Sequence, residues 1–308
     1  MKTFRIGMIG LSEGNGHPFS YSAIINGYSD AALAASGWKV IYDYVTLRDA
    51  SEFGIEGLKV THAWTQDPEL TDKLCKACLI PNSVSRREEL IGKVDAVIIA
   101  RDDYQSHFET AMPFLDAGLN VFIDKPLSLQ TRELKELKPF LQNGRVMSCS
   151  AMRYARELDE PRARLSGYGT VKLIRGTILN SWEKYGVHLL EAILALRNTK
   201  PLFVTASDVS HASVSVNMED GSLVQIDSLG ECPKTFRVDI WGTKAMSSHE
   251  ITDNFTMFRR MLWHFAQSLR TGKPSIDPQE TIDIMRLLIA GNIARSGKRR
   301  VNLDEVHI

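Results

Sequence analysis

The chain has 308 residues, about twice a common domain, so two domains or one large α/β unit are expected and a sizeable core can be buried. Basic and acidic residues balance at 37 each, which leaves no overall field to recruit nucleic acid or an anionic membrane and points to a small-molecule partner. No stretch approaches the ~20 apolar residues of a membrane span, the N-terminus runs into a strand pattern with no signal-peptide core, and four cysteines read as reduced cytoplasmic thiols.

Phe4 to Ile9 is a short apolar run ending in Gly10, and from Pro18 onward Phe19, Ala23, Ile24 and Ile25 read as a helix with proline near its first turn. Strand, glycine-bearing loop and helix thus follow one another. A long stretch, about residues 28–59, carries Trp38 to Tyr44; it is expected to be an insertion that covers a ligand site, extends an interface or is a plain surface excursion. A second strand is expected near Val60–Trp64, then a helix from Asp67-Pro68-Glu69 to about Leu79 with Asp67 as N-cap. Cys75 and Cys78 fall late in that helix, where the dipole disfavours a thiolate, and with no second Cys/His pair they read as incidental. Val94 to Ala100 is apolar almost throughout, as buried parallel strands are. A helix over Gln105–Ala117 and a strand over Asn120–Ile123 follow. This alternation implies right-handed crossovers and a doubly wound parallel sheet over residues 1–147.

Beyond residue 147 the pattern becomes sheet-rich, with strands expected at Val171–Leu179, Leu202–Val209, His211–Met218, Leu223–Leu229 and Phe236–Trp241. Along His211–Met218 one face is Ala/Val/Val/Met and the other His/Ser/Ser/Asn, as in an antiparallel sheet covered on one side. The serine-rich face is wet or a subunit contact. Asp220-Gly221 signals a hairpin turn. Helices around Phe255–Leu269 and Gln279–Ala294 close a second, α+β domain of residues 148–308, whose open sheet is largely antiparallel.

Specific motifs lie on this frame. Val94–Ala100, His107 and the run Ala117-Gly118-Leu119-Asn120-Val121-Phe122-Ile123-Asp124-Lys125-Pro126-Leu127 resemble the glucose-fructose oxidoreductase, inositol dehydrogenase and MocA family, which has a strand ending near Thr-Pro-Asn, a histidine, Gly-x-x-Val and Glu-Lys-Pro. Gly186-Val187-His188-Leu189-Leu190-Glu191 is similar to the family's Gly-x-His-x-x-Asp helix, and Gly297–Leu303 to its ending. The likeness covers nearly the whole chain except residues 28–59. It implies a Rossmann domain binding NAD or NADP, and an oxidoreductase acting on a sugar, cyclitol or related hydroxy or keto compound. By the same resemblance the cofactor would meet Gly10, Ser12, Gly14, Asn15, Gly16, Thr65, Arg101, His107, Asp124 and Lys125. Dimers or tetramers are the implied assembly.

The departures are equally specific. The fingerprint Gly-x-Gly-x-x-Gly, which lets a diphosphate approach a helix N-terminus, is replaced by Gly10-Leu11-Ser12-Glu13-Gly14-Asn15-Gly16, of which the first glycine alone keeps register. Thr65 stands where an acidic ribose anchor is expected, and Arg101-Asp102-Asp103 replaces Thr-Pro-Asn.

Hydride transfer from an alcohol needs a group to take the hydroxyl proton. The resemblance gives that role to Lys125, at the carboxyl end of a parallel strand, where such sheets bind ligands, with His188 as second candidate. The family's aspartate four residues before this histidine is Lys184 here. With Arg153, Lys184 would bind a carboxylate or phosphate of an acidic substrate; alternatively it lowers a neighbouring ammonium's pKa or points to solvent. Trp182, Tyr185 and Tyr154 would form flat walls for a sugar or belong to the core. Two other classes remain open: a catalytically silent relative that binds a nucleotide or sugar, and a lyase or epimerase with tightly held nicotinamide.

Overall fold

A computed structural model describes residues 2–197 and 199–308. The chain forms two compact units, the first made of Met1–Ser128, Glu136–Ser148 and Asn254–Pro278, the second of Leu129–Lys135, Cys149–Asp253 and Gln279–Ile308.

In the first unit β1 (Phe4–Ile9) leads through the glycine loop into α1 (His17–Asn26), followed by α2 (Asp30–Ala34), α3 (Lys39–Val45), β2 (Leu58–Trp64), α4 (Pro68–Ala77), β3 (Asn82–Ser83), β4 (Ala96–Ile99), α5 (His107–Asp116) and β5 (Asn120–Ile123). After α6 (Thr131–Gln142) comes β6 (Val146–Ser148). The six strands lie in the order β3-β2-β1-β4-β5-β6, all parallel. This is the doubly wound order in which the chain reverses direction beside β1, so the carboxyl ends of β1 and β4 border the crevice where such sheets take ligands. Ile6, Met8, Val97, Ile98 and Ile99 are fully buried, as expected of strands covered on both faces. Asp67 caps α4 as its sequence predicts, accepting the Glu69 N–H at 2.9 Å.

Residues 28–59, expected to be an insertion, fold as α2, α3 and a short 3-10 turn, Ala50–Glu52, before entering β2 at Leu58. They pack on α1. Trp38 and Ile41 press on Gly16, where a Cβ would stand 2.6 Å and 2.5 Å from them, and the Tyr44 hydroxyl bonds that of Ser20. The segment thus forms a wall beside the glycine loop.

The second unit begins with α7 (Asp159–Ala163), β7 (Val171–Ile178), α8 (Val187–Leu194), β8 (Pro201–Ala206), β9 (Ala212–Met218), β10 (Leu223–Ser228), β11 (Phe236–Gly242) and β12 (Met246–Glu250). Next comes α9 (Asn254–Thr271), which belongs to the first unit, and then α10 (Pro278–Gly297) and β13 (Val301–Asn302) of the second. Its sheet runs β12-β11-β7-β10-β9-β8-β13 and is mixed: β7 and β10 pair in parallel, the other neighbours antiparallel. The β9–β10 hairpin turns on Gly221, whose φ of 81° suits glycine. Val214, Val216 and Met218 are buried on one face of β9 while Ser215 and Asn217 are half-exposed on the other.

A tryptophan fixes the start of α8. Trp182 is fully buried, its Nε1–H donates to the Leu288 carbonyl at 3.0 Å, and its ring lies so close to Gly186 and Gly291 that a Cβ at either would overlap it. Leu189, on the buried face of α8, meets Gly176 in the middle of β7, where a Cβ would lie 2.8 Å from its Cδ1. These close approaches set the height of α8 on the sheet and the place of His188 along it.

Candidate active site

The turn after β5 is built around a buried carboxylate. Asp124 is 1% exposed, and its Oδ2 faces His17 Nδ1 at 2.5 Å and accepts from Asn15 Nδ2 at 3.2 Å. Its Oδ1 accepts the Lys125 N–H at 2.9 Å. The Tyr21 hydroxyl lies 3.1 Å from His17 Nδ1, with the two rings stacked 4.9 Å apart. Burial pushes the Asp124 carboxyl up, but His17 and Lys125 outweigh it and hold it well below the usual carboxylate range. Asp124 is therefore an anion inside the domain. Lys125, 4% exposed, is its cationic neighbour at the carboxyl end of β5. His17 and Tyr21 were not among the expected site residues; a histidine directly after the glycine loop, one helical turn from a tyrosine, was the available signal.

The glycine loop is held largely by protein side chains. Gln66 accepts the Leu11 N–H at 2.9 Å and donates to the Leu11 carbonyl at 2.6 Å, while Ser12 Oγ donates to Asp102 Oδ1 at 2.6 Å and accepts the Asp102 N–H at 3.0 Å. At the start of α1 the His17 N–H is taken by Asn15 Oδ1 at 2.8 Å, Pro18 has none, and Phe19 and Ser20 both donate to the Gly16 carbonyl. The first turn of this helix is thus satisfied internally. Gly14 differs: at the exposed crest, with φ of 74°, it leaves the space around its Cβ position empty to 4 Å.

Other expected contacts are drawn inward. Arg101 makes two 2.8 Å bonds to Asp103 and one of 3.2 Å to Gln66. His107 is fully buried, Nδ1 facing the Pro126 carbonyl and Nε2 the Arg101 carbonyl, each at 2.9 Å, so its ring clasps the two strand ends together. Thr65 is 3% exposed and its hydroxyl donates to the Asp67 carbonyl at 2.7 Å, shaping the entry to α4. Both residues serve the turn because their polar atoms are used by backbone groups that burial cuts off from water. Cys75 and Cys78 are reduced thiols whose pKa burial raises, that of Cys75 to about 11.

In the second unit His188 stands in the first turn of α8, its Nδ1 2.6 Å from Ser150 Oγ and its ring edge-on to Tyr185, centroids 5.1 Å apart. Tyr185 stacks in turn on Phe236. Lys184 is exposed. Arg153 is committed elsewhere: its Nη1 donates to Glu191 at 3.0 Å and its Nη2 to Glu280. The anion-binding pair expected of Lys184 and Arg153 is therefore not assembled, because two carboxylates already satisfy the guanidinium. Burial pushes the Glu191 carboxyl up to about 7 against the pull of Arg153. Trp182 lies in the core rather than on a binding wall, and burial raises the Tyr154 hydroxyl far above its ordinary value. Ser150 and Glu280 escaped sequence reading, since a serine just after a strand and a glutamate on a helix carry no mark of partnership, and Glu191 entered it only as the acidic end of the histidine motif.

The strand order of the first unit defines a doubly wound α/β fold of the kind that takes dinucleotides, followed by a second, mixed-sheet unit. Residues 4–150 match the family described as an oxidoreductase family with NAD-binding Rossmann fold, GFO_IDH_MocA. A relative from Amycolatopsis mediterranei, described as a UDP-kanosamine synthase oxidoreductase subunit, is 27% identical over 144 residues; that match spans 46% of this chain and 38% of the relative, well under two thirds of its length. Among solved structures, apo scyllo-inositol dehydrogenase from Lactobacillus casei aligns over 98% of this chain and 99% of its own with a TM-score of 0.77 at 14% identity. Myo-inositol 2-dehydrogenase from Lactobacillus plantarum gives 0.76 at 14% over the same shares. The L. casei enzyme with bound NAD(H) and scyllo-inositol gives 0.75 at 14%, over 98% and 100%. At these identities the likeness is one of fold.

Two features of the first unit are compatible with a dinucleotide. The open Gly14 crest lets backbone approach a diphosphate, and the N–H groups of Glu13 and Gly14 take no part in the loop's own bonding. A buried lysine stands at the end of β5.

Proposed function

We propose that the chain is an NAD(P)-dependent oxidoreductase that moves a hydride to or from the oxygen-bearing carbon of a sugar, cyclitol or related hydroxy or keto compound. The observation that carries this reading is Lys125, an ammonium buried beside an ionised Asp124 at the carboxyl end of a parallel strand. Bound nicotinamide would supply the hydride acceptor or donor, with the loop crest from Ser12 to Gly16 holding its diphosphate. Lys125 moves the proton. In the oxidising direction its neutral amine takes the proton of the substrate hydroxyl as the hydride leaves carbon; in the reducing direction its ammonium returns it to the oxygen as the hydride arrives. Asp124 balances that charge where water is excluded, and the Asn15 and His17 bonds keep Asp124 in place.

Fluorescence titration with NADH and NADPH tests the cofactor, and Lys125→Met tests the chemistry. Saturable binding of one nucleotide is expected, with turnover abolished in the variant while its circular dichroism is unchanged. If neither nucleotide bound at millimolar concentration, the reading would give way to a silent relative. Wild-type turnover by Lys125→Met would remove the lysine from the mechanism.

A further inference from the structure

The position one helical turn before His188 holds Lys184, exposed, so no carboxylate orients the imidazole from that side. What meets its Nδ1 is Ser150 Oγ, at 2.6 Å. Ser150 is 1% exposed and pinned twice: its N–H is given to the Glu191 carboxylate, and its Oγ accepts the Met152 N–H at 3.2 Å as the cap of the 3-10 turn Ala151–Tyr154. Glu191 is itself fixed by Arg153. The hydroxyl therefore has a set position and one proton to give.

Two arrangements satisfy the short contact. If Nδ1–H donated to Oγ, the oxygen would accept both Nδ1–H and Met152 N–H, and the hydroxyl proton would be buried with no acceptor bonded to it among the described residues. If instead Oγ–H donates to an unprotonated Nδ1, every group is satisfied, and the neutral ring carries its proton on Nε2. We propose that Ser150 is a positioning residue that holds neutral His188 in the Nε2–H form. An imidazole in that form carries a hydrogen-bond donor at Nε2 and cannot act as a base there. The part His188 plays in turnover rests on the oxidoreductase reading above.

The tautomer is readable without substrate or cofactor. In the full-length chain labelled with nitrogen-15, two-bond nitrogen–proton correlation above the ring's titration range should give His188 the Nε2–H pattern. Ser150→Ala should move it to the averaged pattern of interconverting tautomers, and Ser150→Thr should restore it. An Nδ1–H pattern in the wild type, or an unchanged pattern in a folded Ser150→Ala, would overturn the proposal; should that variant not fold, the wild-type spectrum alone decides. Where a substrate is in hand, Ser150→Ala should lower kcat at least tenfold with KM changed less than twofold, while Ser150→Thr keeps most of kcat. Failed nucleotide binding alongside an Nε2–H spectrum would refute the enzyme reading and leave the tautomer assignment standing.

Discussion

Glu191 offers a prediction whose sign and size both follow from its surroundings. Its carboxyl is pushed up to about 7 from an ordinary 4.5, burial being the largest cause. The folded state therefore holds a proton that the unfolded chain has already lost, so the stability contributed by the neutral carboxyl is complete below pH 4.5 and is lost as pH rises through about 7. At 1.36 kcal/mol per decade of proton concentration the gap amounts to about 3 kcal/mol across that window. Glu191→Gln keeps the shape and a donor-acceptor head but cannot ionise. At pH 5 the variant should differ little from wild type; by pH 8 it should have gained on wild type by up to about 3 kcal/mol. Urea titrations of both proteins between pH 5 and pH 8 measure the difference, and a carbonyl-detected titration reads the Glu191 carboxyl directly. Parallel stability curves, together with a carboxyl that titrates near 4.5, would show that Arg153 outweighs burial and would refute the reasoning.

Two further outcomes are expected. Trp182→Ala removes a fully buried indole and the bond to Leu288, and should destabilise the second unit by about 3–5 kcal/mol; thermal unfolding checks it, and a loss under about 1 kcal/mol would mean that the cavity closes. Asp124→Asn leaves the buried Lys125 without its anion and His17 without its carboxylate partner, so a loss of about 3 kcal/mol, or roughly 6–12 °C in Tm, is expected for the first unit. The same carboxylate makes that unit acid-sensitive: its contribution is whole above the ordinary value of 3.8 and declines as pH falls below it, so the Asn variant should show a flatter acid limb.

The parallel sheet was legible because β4 and β5 are short apolar runs set between turn signals, and β5 falls on the expected Asn120–Ile123. β9 was legible for the opposite reason, its strict alternation. β12, Met-Ser-Ser-His-Glu, was not, because an edge strand with three of its five residues exposed and none buried has no apolar period to detect. The site divides in the same way. Lys125 could be found because a Lys-Pro turn after a parallel strand is a local pattern. The surroundings of His188 could not, since Ser150 lies 38 residues from it and Glu280 lies 127 from Arg153, and such pairings are made by the fold alone. Trp182 could be read from sequence either as a binding wall or as core, and the two glycines packed against it decide for the core.

The helix α9 has a consequence for how the protein is made. The Rossmann strands are complete at Ser148, yet Phe255 of α9 packs on Phe53 and Phe265 on Phe122, so the first unit lacks part of its core until residue 271 has been synthesised. At ordinary elongation rates that is a delay on the order of ten seconds. Throughout it the nascent sheet exposes aromatic surface that a chaperone would recognise. A fragment cut at the end of β6 would remain in that condition, soluble only if something else covered Phe53 and Phe122.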